Sequence, residues 1–174
     1  MVKKLLYQFD TDEVPSVFDS VVAYDGGADH VTGVAKVNSE NVSAMVDGCI
    51  YTRPPKDKMY TGIFVGGSSL SAGQSVFDAI RKRFFSNFRV SVMLDSNGAN
   101  TTAAAAVANI ASTCDLSSKK AVILGGTGPV GQRAAALLSK EGATVFITSR
   151  SLEKAKKTAE EINQRFGCNC DALA

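Results

Sequence analysis

The residues of this chain whose types and spacing suit chemistry begin at Gly126. Gly126-Thr127-Gly128-Pro129-Val130-Gly131 is a GxGxxG. It follows the apolar run Ala121-Val122-Ile123-Leu124 and precedes a stretch with Ala135, Leu137 and Leu138 at helical spacing. A strand, a glycine turn and a helix in that order form a dinucleotide cradle. Gly126 is expected to allow the tight turn, Gly128 to let backbone N–H groups approach a pyrophosphate, and Gly131 to let the helix pack closely. The helix N-terminus then faces the phosphates with its partial positive charge. The other reading of the same residues is a glycine-rich turn that binds nothing.

About 20 residues beyond the first glycine, an NAD-selective site offers Asp or Glu to the ribose hydroxyls. Here the stretch is Thr148-Ser149-Arg150-Ser151. A carboxylate would repel a 2′-phosphate, whereas Arg150 can hold one through two parallel N–H bonds, with Ser149 and Ser151 adding hydroxyls. NADP is therefore favoured, with NAD the lesser option. Against this stands an Arg150 that only serves the following helix or pairs with Glu153 in solvent.

The elements that hold these residues alternate between strand and helix, the pattern of an α/β fold with parallel strands. Strands are expected at residues 3–9, 62–65, 90–94, 121–124 and 144–148, with weaker extended segments at 30–37 and 49–52. Pro15 suits the first turn of a helix with Val17, Phe18, Val21 and Val22 on one face. Further helices are expected from Asn41 to residue 46, around Val76, Ile80 and Phe84, from Asn100 or Thr101 to about residue 112, and over 132–140 and 152–166. The junction between domains is placed in residues 116–120. This gives an N-terminal three-layer α/β domain over 1–117 and, over 118–174, the first part of a doubly wound, Rossmann-like parallel sheet that looks truncated.

Composition narrows the function classes. Nineteen Lys and Arg against seventeen Asp and Glu leave a net charge of +2, too little to argue for nucleic acid or a membrane surface. No apolar stretch approaches the roughly 20 residues that span a bilayer, and the N-terminus lacks a signal-type run, so the cytoplasm is the expected compartment. Cys49, Cys114, Cys168 and Cys170 form no CxxC, and His30 is the single histidine. They read as unpaired thiols, and no metal site or catalytic triad is expected.

LLYQFDTDEVPSVFDSVVAYDGGADH at 5–30, DGCIYTR at 47–53, MLDSNGANTTAAA at 93–105 and GGTGPVGQRAAALL at 125–138 carry a resemblance. Through them the chain resembles the bacterial NAD(P)-dependent methylene-tetrahydromethanopterin dehydrogenases, which include a methylene-tetrahydrofolate-active branch. The resemblance implies a homo-oligomer with a reduced pterin in a cleft between two domains. It implies reversible oxidation of a methylene bridge to a methenyl bridge, with hydride passing to the nicotinamide. Which carrier is used stays open.

The methenyl product is a cation stabilised by its own nitrogens, so the protein chiefly has to hold two carbons at near-attack distance. A carboxylate nearby would favour the cation. Asp95, closing a strand, is the first candidate for that role, or else it braces the turn that follows. Asn97, Asn100, Thr101 and Thr102 are candidates to bond the pterin or the nicotinamide amide, or to cap a helix, and Asp10, Thr11 and Asp12 to line the site. Tyr51 and Lys56 are similar to a Tyr and Lys of the folate-specific methylene dehydrogenases, one residue further apart than YxxxK. Two rival readings are a shikimate-dehydrogenase-like NADP oxidoreductase, which TSRSLEKAKKTAEEI resembles, and a truncated pterin-binding module without catalysis.

Overall fold

The computed structural model describes residues 1–173 and divides the chain into two compact units, Met1–Asn97 and Gly98–Ala174. The first holds β1 (Leu5–Asp10), α1 (Val17–Asp25), β2 (His30–Val34), α2 (Val42–Tyr51), β3 (Thr61–Gly66), α3 (Leu70–Arg83) and β4 (Ser91–Leu94). Its strands are all parallel in the order β2-β1-β3-β4. Successive side chains of a strand point to opposite faces. Phe9 accordingly joins Ile63, Val65, Val76, Ile80, Val46 and Ile50 in a core built with α2 and α3. Gln8, one residue earlier, bonds instead to Ser16 and Ser20, which places α1 on the other face.

The second unit holds α4 (Ala99–Ala111), β5 (Lys120–Ile123), α5 (Pro129–Lys140), β6 (Thr144–Thr148), α6 (Leu152–Phe166) and β7 (Cys170–Leu173). Its parallel sheet runs β5-β6-β7. Ala135, Leu138, Val145, Ile147, Ala159 and Ile162 form its core. The α/β reading with parallel sheets holds. Among the described residues, no helix is long and apolar enough to cross a membrane.

Four local expectations need correction. The junction was expected after residue 117, yet the units divide at Asn97. The reason is α4, whose buried Val107 sits in one core with Leu116 and Ala135. Residues 49–52 form no strand: Val42, Val46, Cys49 and Ile50 keep a helical period and are all buried, so α2 runs on to Tyr51. Neither Asn100 nor Thr101 caps α4; the cap is Gly98 in the left-handed region at φ 62°, and the helix starts at Ala99. Finally, residues 170–173 add a strand that periodicity did not announce.

Candidate functional site

The glycine turn sits where β5 ends beside β6. Gly126 N donates to Thr148 O at 2.9 Å, and the Thr148 hydroxyl accepts from Gly125 N at 3.3 Å. Two glycines are dictated by space. A Cβ on Gly126 would lie 2.6 Å from Ile147 Cβ, and one on Gly131 would lie 2.8 Å from Gly126 Cα. Gly131 thus lets α5 press against the turn itself. The positive φ belongs to Gly125, at 65°, so Gly126 is there for its close approach to β6 and not for turn conformation. Around Gly128 the nearest atom to an added Cβ is 3.6 Å away, which leaves that side of the turn open to a ligand.

Gly128 caps α5 without a side-chain bond, and the first helical bond runs from Gln132 N to Gly128 O. Pro129 has no N–H, so Val130 and Gly131 supply the amides of the first turn. Gln132 Nε2 donates to Thr127 O at 2.9 Å and latches the turn from behind. The arrangement is a row of backbone donors on a positive helix end, with no side chain in front of Gly128.

At the end of the neighbouring β6, Ser151 caps α6 by accepting from Lys154 N at 3.3 Å, and Ser149 Oγ accepts from Ser151 N. Arg150 between them is exposed. The ion pairs among the described residues are Lys36–Glu13 and Arg83–Asp47, so Arg150 is not tied to Glu153. Gly126–Gly131 and Ser149–Ser151 therefore lie at the carboxyl ends of adjacent strands, one set offering amides and the other a guanidinium.

In the first unit the carboxyl strand ends gather acids. Asp10 is 1% exposed, and its carboxylate accepts from Asp12 N at 2.9 Å and Ser16 N at 3.0 Å. Asp12 accepts from the amide and hydroxyl of Ser68, both at 2.9 Å, tying the turn after β1 to the turn after β3. Asp95 is buried at 7% exposure, with its N–H donating to Val65 O. Asn97 is exposed with φ 55°, and its N–H donates to Gly67 O at 2.8 Å. In the second unit Thr101 and Thr102 are exposed on α4, and Asn100 is half-buried.

Sequence reading missed Asp19, which lies near Asp10 at the same edge: a Cβ on Gly66 would be 3.3 Å from an oxygen of Asp19 and 3.4 Å from one of Asp10. Burial pushes its carboxyl above the usual range, opposed by a bond with Ser16 and helped by the charges of Asp10 and Asp95. The signal was available. Ser16-x-x-Asp19 has the spacing of a helix-capping pair, and Asp19 N does donate to Ser16 Oγ.

Tyr51 and Lys56 are not brought to this edge. The 3-10 segment Pro55–Tyr60 leads straight into the start of β3, so both residues lie at the amino end of the strands. Tyr51 packs with Phe88 and Phe85 at ring distances of 5.3 and 6.4 Å, and Lys56 is exposed. A strand of six residues separates them from Asp10 and Gly66, about 20 Å.

Comparison with known proteins follows the same division. Residues 17–97 match the family model for methylene-tetrahydromethanopterin dehydrogenase, N-terminal. Residues 106–172 match the model for shikimate / quinate 5-dehydrogenase. The chain is 59% identical over 174 residues to bifunctional protein MdtA of Methylorubrum extorquens, covering 99% of this chain and 60% of that protein. It is 31% identical over 180 residues to the NAD(P)-dependent methylenetetrahydromethanopterin dehydrogenase of the same organism, covering 99% of this chain and 61% of that one. The chain thus spans about three-fifths of the length of both relatives. Ligand-free 5-ketofructose reductase of Gluconobacter sp. strain CHM43 superposes with a TM-score of 0.57 at 19% identity, over 99% of this chain and 62% of that one, which shows the fold alone.

Proposed function

We propose that this chain, similar over residues 17–97 to the methylene-tetrahydromethanopterin dehydrogenases and over 99% of its length to two relatives, carries out hydride transfer from a methylene-bearing reduced pterin to NADP. The carrying observation is the turn at Gly125–Gly131, where Gly126 and Gly131 are fixed by contacts shorter than any side chain tolerates and Gly128, its N–H bonded to Gly125 O at 3.2 Å, has only that carbonyl within 4 Å of an added Cβ. The residues present fit a dinucleotide. Val130 and Gly131 would donate amides to its diphosphate, and Arg150 with Ser149 would bind a 2′-phosphate. When bound, the nicotinamide supplies the carbon that accepts the hydride.

The chain's own contribution on the pterin side is electrostatic. Asp95, with Asp19 beside it in charge if not in contact, places negative potential at the carboxyl edge of β1, β3 and β4. Such potential favours a product that gains positive charge as hydride leaves. Asn97, Asn100, Thr101 and Thr102 remain the candidate donors to the carrier, while Asp10 and Asp12 shape the edge through their backbone bonds. The expected setting is cytoplasmic one-carbon metabolism, in an oligomer.

The test is an assay of NADP and NAD reduction with methylene-tetrahydromethanopterin, methylene-tetrahydrofolate and shikimate in parallel. Methenyl formation coupled to NADPH is the expected result. The match of residues 106–172 to shikimate / quinate 5-dehydrogenase favours a second reading, in which the acceptor half serves a hydroxy-acid substrate. Turnover with shikimate and none with either pterin would establish that reading instead.

A further inference from the structure

A net charge of +2 says little for nucleic acid over the whole chain, but the cations are unevenly placed. Residues 51–60 and 81–89 hold seven Lys and Arg against the single acid Asp57, although the chain carries 19 against 17. The structure brings these two segments together at the amino ends of β3 and β4. Lys58 Nζ lies 4.1 Å from the centre of the Phe88 ring and donates to Asn87 O at 3.4 Å. Phe85 and Phe88 exchange backbone bonds across Ser86 and Asn87, with Ser86 in the left-handed region at φ 44°. That tight turn holds the two phenyl rings stacked, 5.0 Å apart and 25° from parallel, with the Tyr51 ring 5.3 Å from Phe88. All three rings reach solvent: Tyr51 is 50% exposed, Phe85 51% and Phe88 37%.

Most cations around the rings have no acid to meet. Among the described residues the ion pairs are Lys36–Glu13 and Arg83–Asp47, so Lys56, Lys58, Arg81, Lys82 and Arg89 have no carboxylate partner. Lys82 and Arg83 continue the surface into an open cavity of about 520 Å³ over α2 and α3, lined also by Ser39, Ser43, Ser75 and Asp78. Arg83 joins the cavity to the rings. It donates to Asp47 on α2, one helical turn before Tyr51.

We propose that this face binds single-stranded nucleic acid, with bases stacked on Phe85, Phe88 and Tyr51 and phosphates held by Lys56, Arg81, Lys82 and Arg89. Charge complementarity selects this occupant. An apolar protein surface laid on the rings would strip water from unpaired cations, a cost that burial of the rings has to overcome. An acidic peptide would pair with the cations but leave the rings uncovered. A nucleic acid strand offers flat faces and regularly spaced charges at once, and such platforms bind with little sequence preference. The bases must be unpaired, because in a duplex their faces are already stacked. A strand of six residues, about 20 Å, separates this face from the acid edge, so the inference is independent of the hydride-transfer reading.

Fluorescence anisotropy of the 174-residue chain with labelled oligouridylate and oligoadenylate tests it, beside a labelled duplex and labelled polyglutamate. The expected result is micromolar binding of both single strands, falling about fiftyfold between about 50 and 200 mM salt for about four phosphate contacts. Phe85→Ala should weaken it about five- to a hundredfold at unchanged thermal melting, and Phe85→Trp should keep it. Arg89→Gln should make the salt dependence shallower by about one phosphate contact. A chain that binds neither strand at about 50 mM salt would overturn the proposal. So would polyglutamate or the duplex binding as tightly as the single strands, or an affinity indifferent to Phe85→Ala. Should Phe85→Ala melt early, Arg89→Gln still decides, since an unchanged salt dependence would overturn the assignment of phosphates to this face. Full displacement of the strands by NADP would put them in the glycine turn instead and overturn it equally.

Discussion

The two units both place their functional candidates at the carboxyl ends of parallel strands, yet they do so by opposite means. In the second unit the turn at Gly125–Gly131 presents backbone at four glycines and is tied by Gln132 and Thr148. In the first, the edge is dense with carboxylates that mostly serve their own chain: Asp10 folds the turn into α1, and Asp12 staples that turn to Ser68. A bare-backbone site is made by what is absent. An acid edge is made by side chains that have structural duties, as Asp10 and Asp12 do through the amides they accept from.

That contrast can be broken most forcefully at Gly131. Gly131→Ala puts a Cβ against Gly126 backbone, with overpacking costing about 1–3 kcal/mol. NADP affinity should fall by at least about a hundredfold as the first-turn amides move, some 3 kcal/mol. Calorimetric titration with thermal melting measures both, and undiminished binding would show that the amides do not hold the cofactor. On the acid side, Asp10→Ala strands two amide donors, and unfolding free energy in urea should drop by about 2–4 kcal/mol. NADP affinity of the separate turn should stay put.

Arg150→Ala sharpens the nucleotide side with a smaller effect. Losing a charged hydrogen bond to a 2′-phosphate costs about 1.5–3 kcal/mol, so NADP should bind about ten- to a hundredfold more weakly while NAD changes little. Equal losses would mean that Arg150 touches no 2′-phosphate.

Asp19→Asn should have the smallest effect. The carboxyl of Asp19 is raised by burial, so the folded state binds its proton more tightly than the unfolded state. Stability from this group is fullest below the ordinary carboxylate pKa of 3.8 and declines as pH rises through the folded value. The amide removes that decline. The variant should be slightly more stable than the wild type near neutrality, by less than about 1 kcal/mol for a group only partly buried, and indistinguishable in strong acid. Urea titrations at the two pH values check the sign.

How much was legible follows the same line. The glycine turn could be read because steric necessity writes itself as glycine: a Cβ at Gly126 or Gly131 meets atoms under 3.0 Å away, between β5 and α5. The start of α4 was misread because the left-handed cap at Gly98 outcompetes Asn100 and Thr101, a choice made by the backbone after β4. Tyr51 and Lys56 looked like a pair, but the continuous α2 carries Tyr51 to the amino end of β3, and spacing alone cannot say at which strand end a pair emerges. The orientation of α1 was hidden for a related reason. A helical period gathers Val17, Phe18, Val21 and Val22 on one face without saying which way that face turns, and the decision rested on Gln8, a buried polar residue in a strand.

The most direct measurement is an amide NMR titration of the 174-residue chain with NADP. The N–H resonances of Gly128, Val130 and Gly131 should move together with those of Ser149, Arg150 and Ser151, and NAD should move only the first group. Shifts confined to other residues, or none at saturating NADP, would contradict a diphosphate held by the turn after β5.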